Sequence, residues 1–262
     1  MDFWNDYLKW VVATMIAMMA VPYVTARIAS ALGHVSKKSL VEGLGPNSQL
    51  LVGGLGVSIH EFGHAAMAYL FGHKVTHVQL LNFHYAETGT LGSVNHSWND
   101  KNLYQQLGNF FIGLAPYYVS SIALYFLQKV LLHYNLNFTQ ALSTKTLDSN
   151  TISSLITSVF DNFAEMFSQA SIPMIIVYLI LSVMISSTGY DLSKEDFQTV
   201  NQGIIPWLVV LFVIATLAVI FNLTNQLVGL LMIVTIFSLL FLIQSLLYIL
   251  VSIFFIRIIS IF

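Results

Sequence analysis

Apolar residues run through this chain in long blocks separated by short polar breaks. The first block, Trp10 to Ala26, is led in by Trp4, Tyr7 and Trp10 and closed by Arg27, the flanks expected of a membrane-crossing helix with interfacial anchors. Asp2 and Asp6 stand where a cleavable signal sequence carries positive charge, so this block reads as a retained span. Gly33 to Ser48 holds Lys37, Lys38, Gly43, Gly45 and Pro46 and reads as a loop. Asn47 or Ser48 then caps a second apolar helix over Leu50 to Phe71 that stops at Gly72.

Beyond Lys74 the period changes. Val75 to Phe83 and Thr90 to Trp98 are rich in β-branched and aromatic residues, with Glu87, Thr88 and Gly89 between them, the pattern of a hairpin at the membrane surface. A third span follows from Leu103 to Leu132, with Pro116 removing one helical hydrogen bond. Ile152, Leu155, Ile156, Val159, Phe160 and Phe163 recur at helical spacing among polar residues, which predicts an amphipathic helix lying on the membrane. A fourth span runs from Pro173 to Ser186, a polar break covers Ser187 to Gly203, and apolar runs from Ile204 to Phe221 and Leu227 to Ile259 complete the pattern. The expected fold is an all-α polytopic membrane protein of about six transmembrane helices, with a small β-hairpin after the second. It forms one membrane-embedded domain over residues 1–262, with a core at 47–197 and two closing helices at 198–262.

Composition agrees with the pattern. Of 262 residues 56% are hydrophobic and 8% charged, and the mean hydropathy is +0.76, which points to a chain whose solvent is the lipid bilayer. A net charge of −2 without a basic cluster speaks against a nucleic-acid partner. With no cysteine, any metal has to be held by His, Asp or Glu.

The second apolar block carries His60-Glu61-Phe62-Gly63-His64. A charged group at membrane depth costs about 2.5 kcal/mol or more, so ionisable residues there line a cavity or bind something. On a helix the i, i+4 spacing puts both imidazoles on one face, within reach of one Zn²⁺, and in this arrangement the glutamate acts as the proton acceptor. His60 and His64 are the expected ligands and Glu61 the expected general base. Gly56, Gly63 and Met67 share the ligand face, with Gly53 and Gly54 extending a thin surface that a neighbouring helix or an extended substrate can approach.

A catalytic zinc takes a third protein ligand and keeps one position for water. The candidates are His84, Glu87, His96, His133, Asp161, Glu165, Asp191, Glu195 and Asp196. Counting crossings returns Asp191, just after the fourth span, to the side of the histidines. Asp191 is the preferred third ligand, with His84 and His96 as its main competitors. Tyr117, Tyr118, Ser120 and Ser121 are polar enough to line a cavity, but such residues more often pack helices together.

The His60 to His64 motif, with Gly113-Leu114-Ala115-Pro116 and the hairpin between them, resembles the site-2 protease class of intramembrane zinc metalloproteases over about residues 47 to 197. Leu-Asp-Gly around the third ligand is absent. Ser186-Ser187-Thr188-Gly189-Tyr190-Asp191 is similar instead to the Ser-Pro-Ser-x-x-Asp variant of a compact bacterial branch without a PDZ insertion, with Ser187 replacing the proline. The resemblance implies a multi-pass protein of the bacterial cell membrane that binds one Zn²⁺ per chain through His60, His64 and Asp191. It also implies that the hairpin and the zinc lie toward the cytoplasm, and that the chain hydrolyses peptide bonds in or near membrane helices of substrate proteins. The strand from Val75 to Phe83 is then expected to hold an unwound substrate by strand addition, with Asn82 adding a side-chain contact. The alternative is a non-proteolytic zinc-binding sensor, scaffold or transporter.

Overall fold

The structure, a computed structural model, describes residues 3–260. Two helices, α1 (Phe3–Met15) and α2 (Val21–Leu44), join through a π-helical turn at Ile16–Ala20 into one stretch. There follow α3 (Ser48–Leu51), α4 (Gly54–Leu70), β1 (Lys74–Gln79), α5 (Tyr85–Thr88), β2 (Ser93–Ser97) and α6 (Leu103–Leu131). The rest is α7 (Thr139–Ser143), α8 (Ser149–Glu165), α9 (Ile172–Gly189), α10 (Lys194–Ile220) and α11 (Thr224–Ile259). Among the described residues, five helical stretches are long and apolar enough to cross a membrane: Trp4–Leu44, Leu103–Leu131, Ile172–Gly189, Lys194–Ile220 and Thr224–Ile259. The architecture is that of a helical membrane protein. The sixth expected span is α4, whose 17 residues reach about 26 Å, short of a hydrocarbon core of about 30 Å.

Two polar breaks contracted. The expected loop at Gly33 to Ser48 is helical as far as Leu44, because its glycines are packing positions: a Cβ on Gly33 would lie 3.0 Å from the Asp191 nitrogen, and one on Gly43 2.8 Å from Ile256. The turn comes at Gly45, with φ 83°, followed by Pro46. The break expected over Ser187 to Gly203 shrinks to residues 190–193. Ser193 accepts a hydrogen bond from the Asp196 backbone (3.1 Å) while the Asp196 carboxylate accepts one from the Ser193 backbone (2.7 Å), a capping box that starts α10 ten residues early.

The amphipathic segment is α8, and part of its apolar stripe has a partner within the chain, while Ile152, Ile156 and Phe160 stay exposed. Val159, with Leu155 and Phe163 beside it, packs on Met232, Ile236 and Leu240 of α11 and on Ala141 of α7. Helix α6 lies at the centre, against α4, α9 and α10, while α2 packs along α11. Polar side chains tie the apolar helices together: Gln128 donates to Gln244 (2.6 Å) and to the Tyr178 hydroxyl (3.1 Å), which meets the Tyr248 hydroxyl at 2.8 Å. Bonds of this kind between membrane helices contribute roughly 0.6 kcal/mol each, so they fix register more than they supply stability.

The hairpin forms as β1 paired antiparallel with β2, with Val78 opposite Val94 and a bulge between Val75 and His77. Gly89, at φ 73°, ends the α5 turn that joins the strands. Asn82, expected to contact substrate, is 4% exposed and spends its amide inside the loop, donating to Thr88 and the Thr90 carbonyl and accepting from the His84 backbone. Two histidines fasten the hairpin to α6. The carbonyl of Gln105 can only accept, so His73 Nε2 carries the proton (2.9 Å), and His73 Nδ1 accepts from His96 Nδ1 at 3.0 Å.

Burial, then the neighbouring His73 ring, then His64, push the His96 imidazole down to about 4. Between its ordinary value of about 6.5 and about 4, the unfolded chain binds a proton that the docked hairpin refuses, so docking weakens as pH falls through that window. Amide exchange of residues 74–97, normalised to α11, should rise between pH 7 and pH 5 in the wild type and stay flat in His96→Asn.

Close helix contacts predict a second outcome. A Cβ on Gly56 would lie 2.5 Å from the Ile185 carbonyl and closer still to the Thr188 hydroxyl, whereas one on Gly54 meets only the flexible Leu81 side chain, at 3.3 Å. Gly56→Ala should cost about 1–3 kcal/mol by overpacking α4 against α9. Gly54→Ala should be neutral or stabilising, since alanine gains about 1 kcal/mol over glycine in a helix. Reversible unfolding in detergent measures both.

Candidate metal centre

Helix α4 is wedged between two neighbours that hold its histidines in place. Gly56 permits the contact with α9, and a Cβ on Gly63 would come within 3.2 Å of the Ala115 backbone on α6. The thin surface foreseen along α4 is therefore occupied by α9 and α6. This approach brings backbone carbonyls to the rings. His60 Nδ1 lies 3.2 Å from the Gly189 oxygen, and His64 Nδ1 lies 2.9 Å from the Ile112 oxygen. A carbonyl only accepts, so each ring carries its proton on Nδ1 and turns the lone pair of Nε2 inward. Ser120 also donates to the Gly189 carbonyl, at 3.3 Å.

The two Nε2 atoms face each other at 3.2 Å. The carboxylate of Asp196 closes the group, with Oδ1 3.1 Å from His64 Nε2 and Oδ2 3.7 Å from His60 Nε2. One ligand atom from each of His60, His64 and Asp196 lies within 4.8 Å of the others, so the three together are able to hold a metal ion. The donor chemistry fits one. Three converging lone pairs repel unless a cation sits among them, and a proton can serve only one pair of them. In a tetrahedral site with bonds of about 2.0–2.1 Å the ligand atoms stand about 3.3–3.4 Å apart, close to the Nε2–Nε2 separation of 3.2 Å and the His64 Nε2–Oδ1 separation of 3.1 Å, while His60 Nε2 stands 3.7 Å from the other carboxylate oxygen. Oδ2 of Asp196 is also the capping acceptor for Ser193, which orients the carboxylate as an outer-shell hydrogen bond would.

Asp191, the preferred third ligand, is placed elsewhere. Its carboxylate pairs with Lys37 at 3.1 Å and lies 3.5 Å from His34 Nδ1. Asp191 borders a cavity with His60 and Glu61, but α10 begins immediately after Ser193, and its first turn carries Asp196 to the rings. The signal lay in Ser193-Lys194-Glu195-Asp196, a capping-box pattern within a segment read as a polar break.

Among the described side chains, none of the other candidates joins the group. His84 is exposed, His96 is bonded to His73, and Asp161 and Glu165 border a separate cavity beside α7. Glu195 is exposed, His133 follows the end of α6, and the Glu87 side chain lies outside the described residues. Tyr117 donates to the Ser238 carbonyl (2.6 Å) and Tyr118 meets the Ser238 hydroxyl (3.3 Å), so both pack α6 on α11. Ser121 bonds to the Tyr117 carbonyl and the Tyr190 hydroxyl.

Glu61 faces a cavity of about 280 Å³ that it shares with His60, Lys37, Gln49, Tyr85, Thr188 and Asp191. The hairpin roofs it: a Cβ on Gly92 would lie 2.6 Å from the Glu61 Cγ. The carboxylate next in sequence to a ligand therefore opens onto a chamber with room for several water molecules, and His60 of the ligand set borders the same chamber.

Equilibrated with zinc and desalted, the wild-type protein should retain one equivalent by elemental analysis. His64→Ala and Asp196→Ala should fall to background, and Asp191→Asn should bind as the wild type does. No protein-family model, curated protein or solved structure matches this chain, so its chemistry has to be read from this geometry.

Proposed function

We propose that the protein is an intramembrane zinc metalloprotease that hydrolyses peptide bonds in or near the membrane segments of other proteins. The observation that carries this reading is the convergence of His60 Nε2, His64 Nε2 and Asp196 Oδ1 beside Glu61 in a helical membrane protein. Two neutral imidazoles and a carboxylate form a donor set suited to zinc, with room left for water or a carbonyl. Bound there, zinc supplies Lewis acidity, polarising the scissile carbonyl and making water acidic near neutral pH.

The chain's own groups supply the rest. Glu61 takes one proton from water as the carbonyl carbon is attacked, and delivers it to the leaving nitrogen as the carbon–nitrogen bond breaks. The carbonyls of Gly189 and Ile112 keep both Nε2 lone pairs available throughout, and Ser193 holds Asp196 in its rotamer. A helical substrate offers no free carbonyl until it unwinds. An unwound segment added along the hairpin would run past Leu91 and Gly92, directly over Glu61. In this reading α4, α6, α9 and the first turn of α10 form the catalytic core, and α11 braces it through Tyr117, Gln128 and Tyr178.

The test separates binding from chemistry. Glu61→Gln should keep one equivalent of zinc and lose at least a hundredfold in cleavage of a reconstituted membrane-helix substrate, the usual contribution of a positioned general base. Equal cleavage by both proteins would remove Glu61 from the reaction. Full zinc content with no cleavage by the wild type of any membrane segment offered would favour a sensor or scaffold instead.

A further inference from the structure

A second cavity, of about 520 Å³, shares Lys37 and Asp191 with the chamber over Glu61 and opens between α2 and the start of α10. Its walls bring together Arg27, Lys37 and Lys194, with His34 beside them, against one carboxylate, Asp191. That carboxylate is already held by Lys37 at 3.1 Å. Among the described residues neither Arg27 nor Lys194 lies within 4.0 Å of a carboxylate. The Arg27 guanidinium is nonetheless held in place, 3.9 Å over the Phe197 ring and donating twice to the Tyr23 hydroxyl, at 3.3 and 3.1 Å. A preset guanidinium and a second free cation facing one cavity form a receptor for an anion with several oxygens.

The level of the cavity says which anion. Arg27 closes the charge-free run from Trp10 to Ala26, about 26 Å of helix, and Lys194 to Asp196 precede the charge-free run from Phe197 to Ile220. These helices lie antiparallel: Tyr7 meets Thr216 at 2.9 Å, and Trp207 donates to the Met18 carbonyl at 3.0 Å. Both apolar runs therefore end at the same height, where a hydrocarbon core of about 30 Å gives way to headgroups. We infer that this cavity binds a phosphate group, supplied in the membrane by the headgroup of an anionic phospholipid. Its occupant would bear on residues 190–193, the link that carries Asp196 to the two imidazoles.

Full-length protein in neutral detergent is titrated with micelles doped with phosphatidylglycerol, with micelles doped with phosphatidylcholine, and with inorganic phosphate. Bound lipid is counted by native mass spectrometry and the unfolding midpoint is followed by tryptophan fluorescence. The wild type should take up one phosphatidylglycerol in preference to phosphatidylcholine, with a higher midpoint. The double variant Arg27→Gln/Lys194→Gln should bind it about thirtyfold more weakly, roughly fivefold for each lost cation, while keeping its helical circular dichroism and its zinc equivalent. Lys129→Gln, on a distant helix end, should bind as the wild type does. Stabilisation by inorganic phosphate alone, lost in the double variant, would keep the site and assign it to a soluble phosphate compound. Equal uptake of the two lipids with no response to phosphate, or unchanged preference in the double variant, would overturn the proposal.

Discussion

The imidazoles of His60 and His64 each give their Nδ1 proton to a backbone carbonyl of a neighbouring helix, and so turn their Nε2 lone pairs toward each other and toward Asp196. Much of the surrounding packing serves that arrangement. The carbonyls of Gly189 and Ile112 are close enough only because Gly56 and Gly63 let α9 and α6 approach the α4 backbone. A methyl group at Gly56 would push Gly189 away and release the ring that depends on it. Helix packing and ligand orientation are one constraint here.

Asp196 joins this constraint from the far side of the link at residues 190–193. One carboxylate oxygen caps α10 and the other faces His64, so the start of a long apolar helix and the third wall of the donor set are the same residue. On α6, a Cβ at Gly113 would lie within 2.8 Å of the Val200 backbone, so close approach of α6 to α10 sets the height at which Asp196 stands. Next to it, Lys37 and Asp191 form a polar partition between the chamber over Glu61 and the cationic cavity at Arg27 and Lys194.

Most of the helices, the hairpin and the pair of histidines were legible in the sequence. Long apolar runs have few conformations open to them in lipid, and the i, i+4 spacing of His60 and His64 requires only a helix to put them on one face. Two features are hidden for different reasons. Gly33 and Gly43 look like loop residues when considered singly, but tertiary neighbours make them packing positions within a helix; the segment from Ser187 to Gly203 looks like a polar break until the capping box of Ser193 and Asp196 is taken into account. Glycine in a helix is unfavourable by about 1 kcal/mol alone and becomes useful when a neighbouring backbone must come close. The loop bonding of Asn82 is hidden for a local reason: its amide finds three partners within the loop, and none is visible from its position in the strand pattern.

By itself the sequence determined a helical membrane protein, a surface hairpin, and two imidazoles with a carboxylate beside them, because each follows from local periodicity and solvent preference. Only the tertiary structure decided which acid completes the group. Asp191 and Asp196 are five residues apart, and a capped turn between them sends one to Lys37 and the other to the histidines. That choice depends on where α10 starts and how closely it lies against α6, distances that arise from packing between segments far apart in the chain.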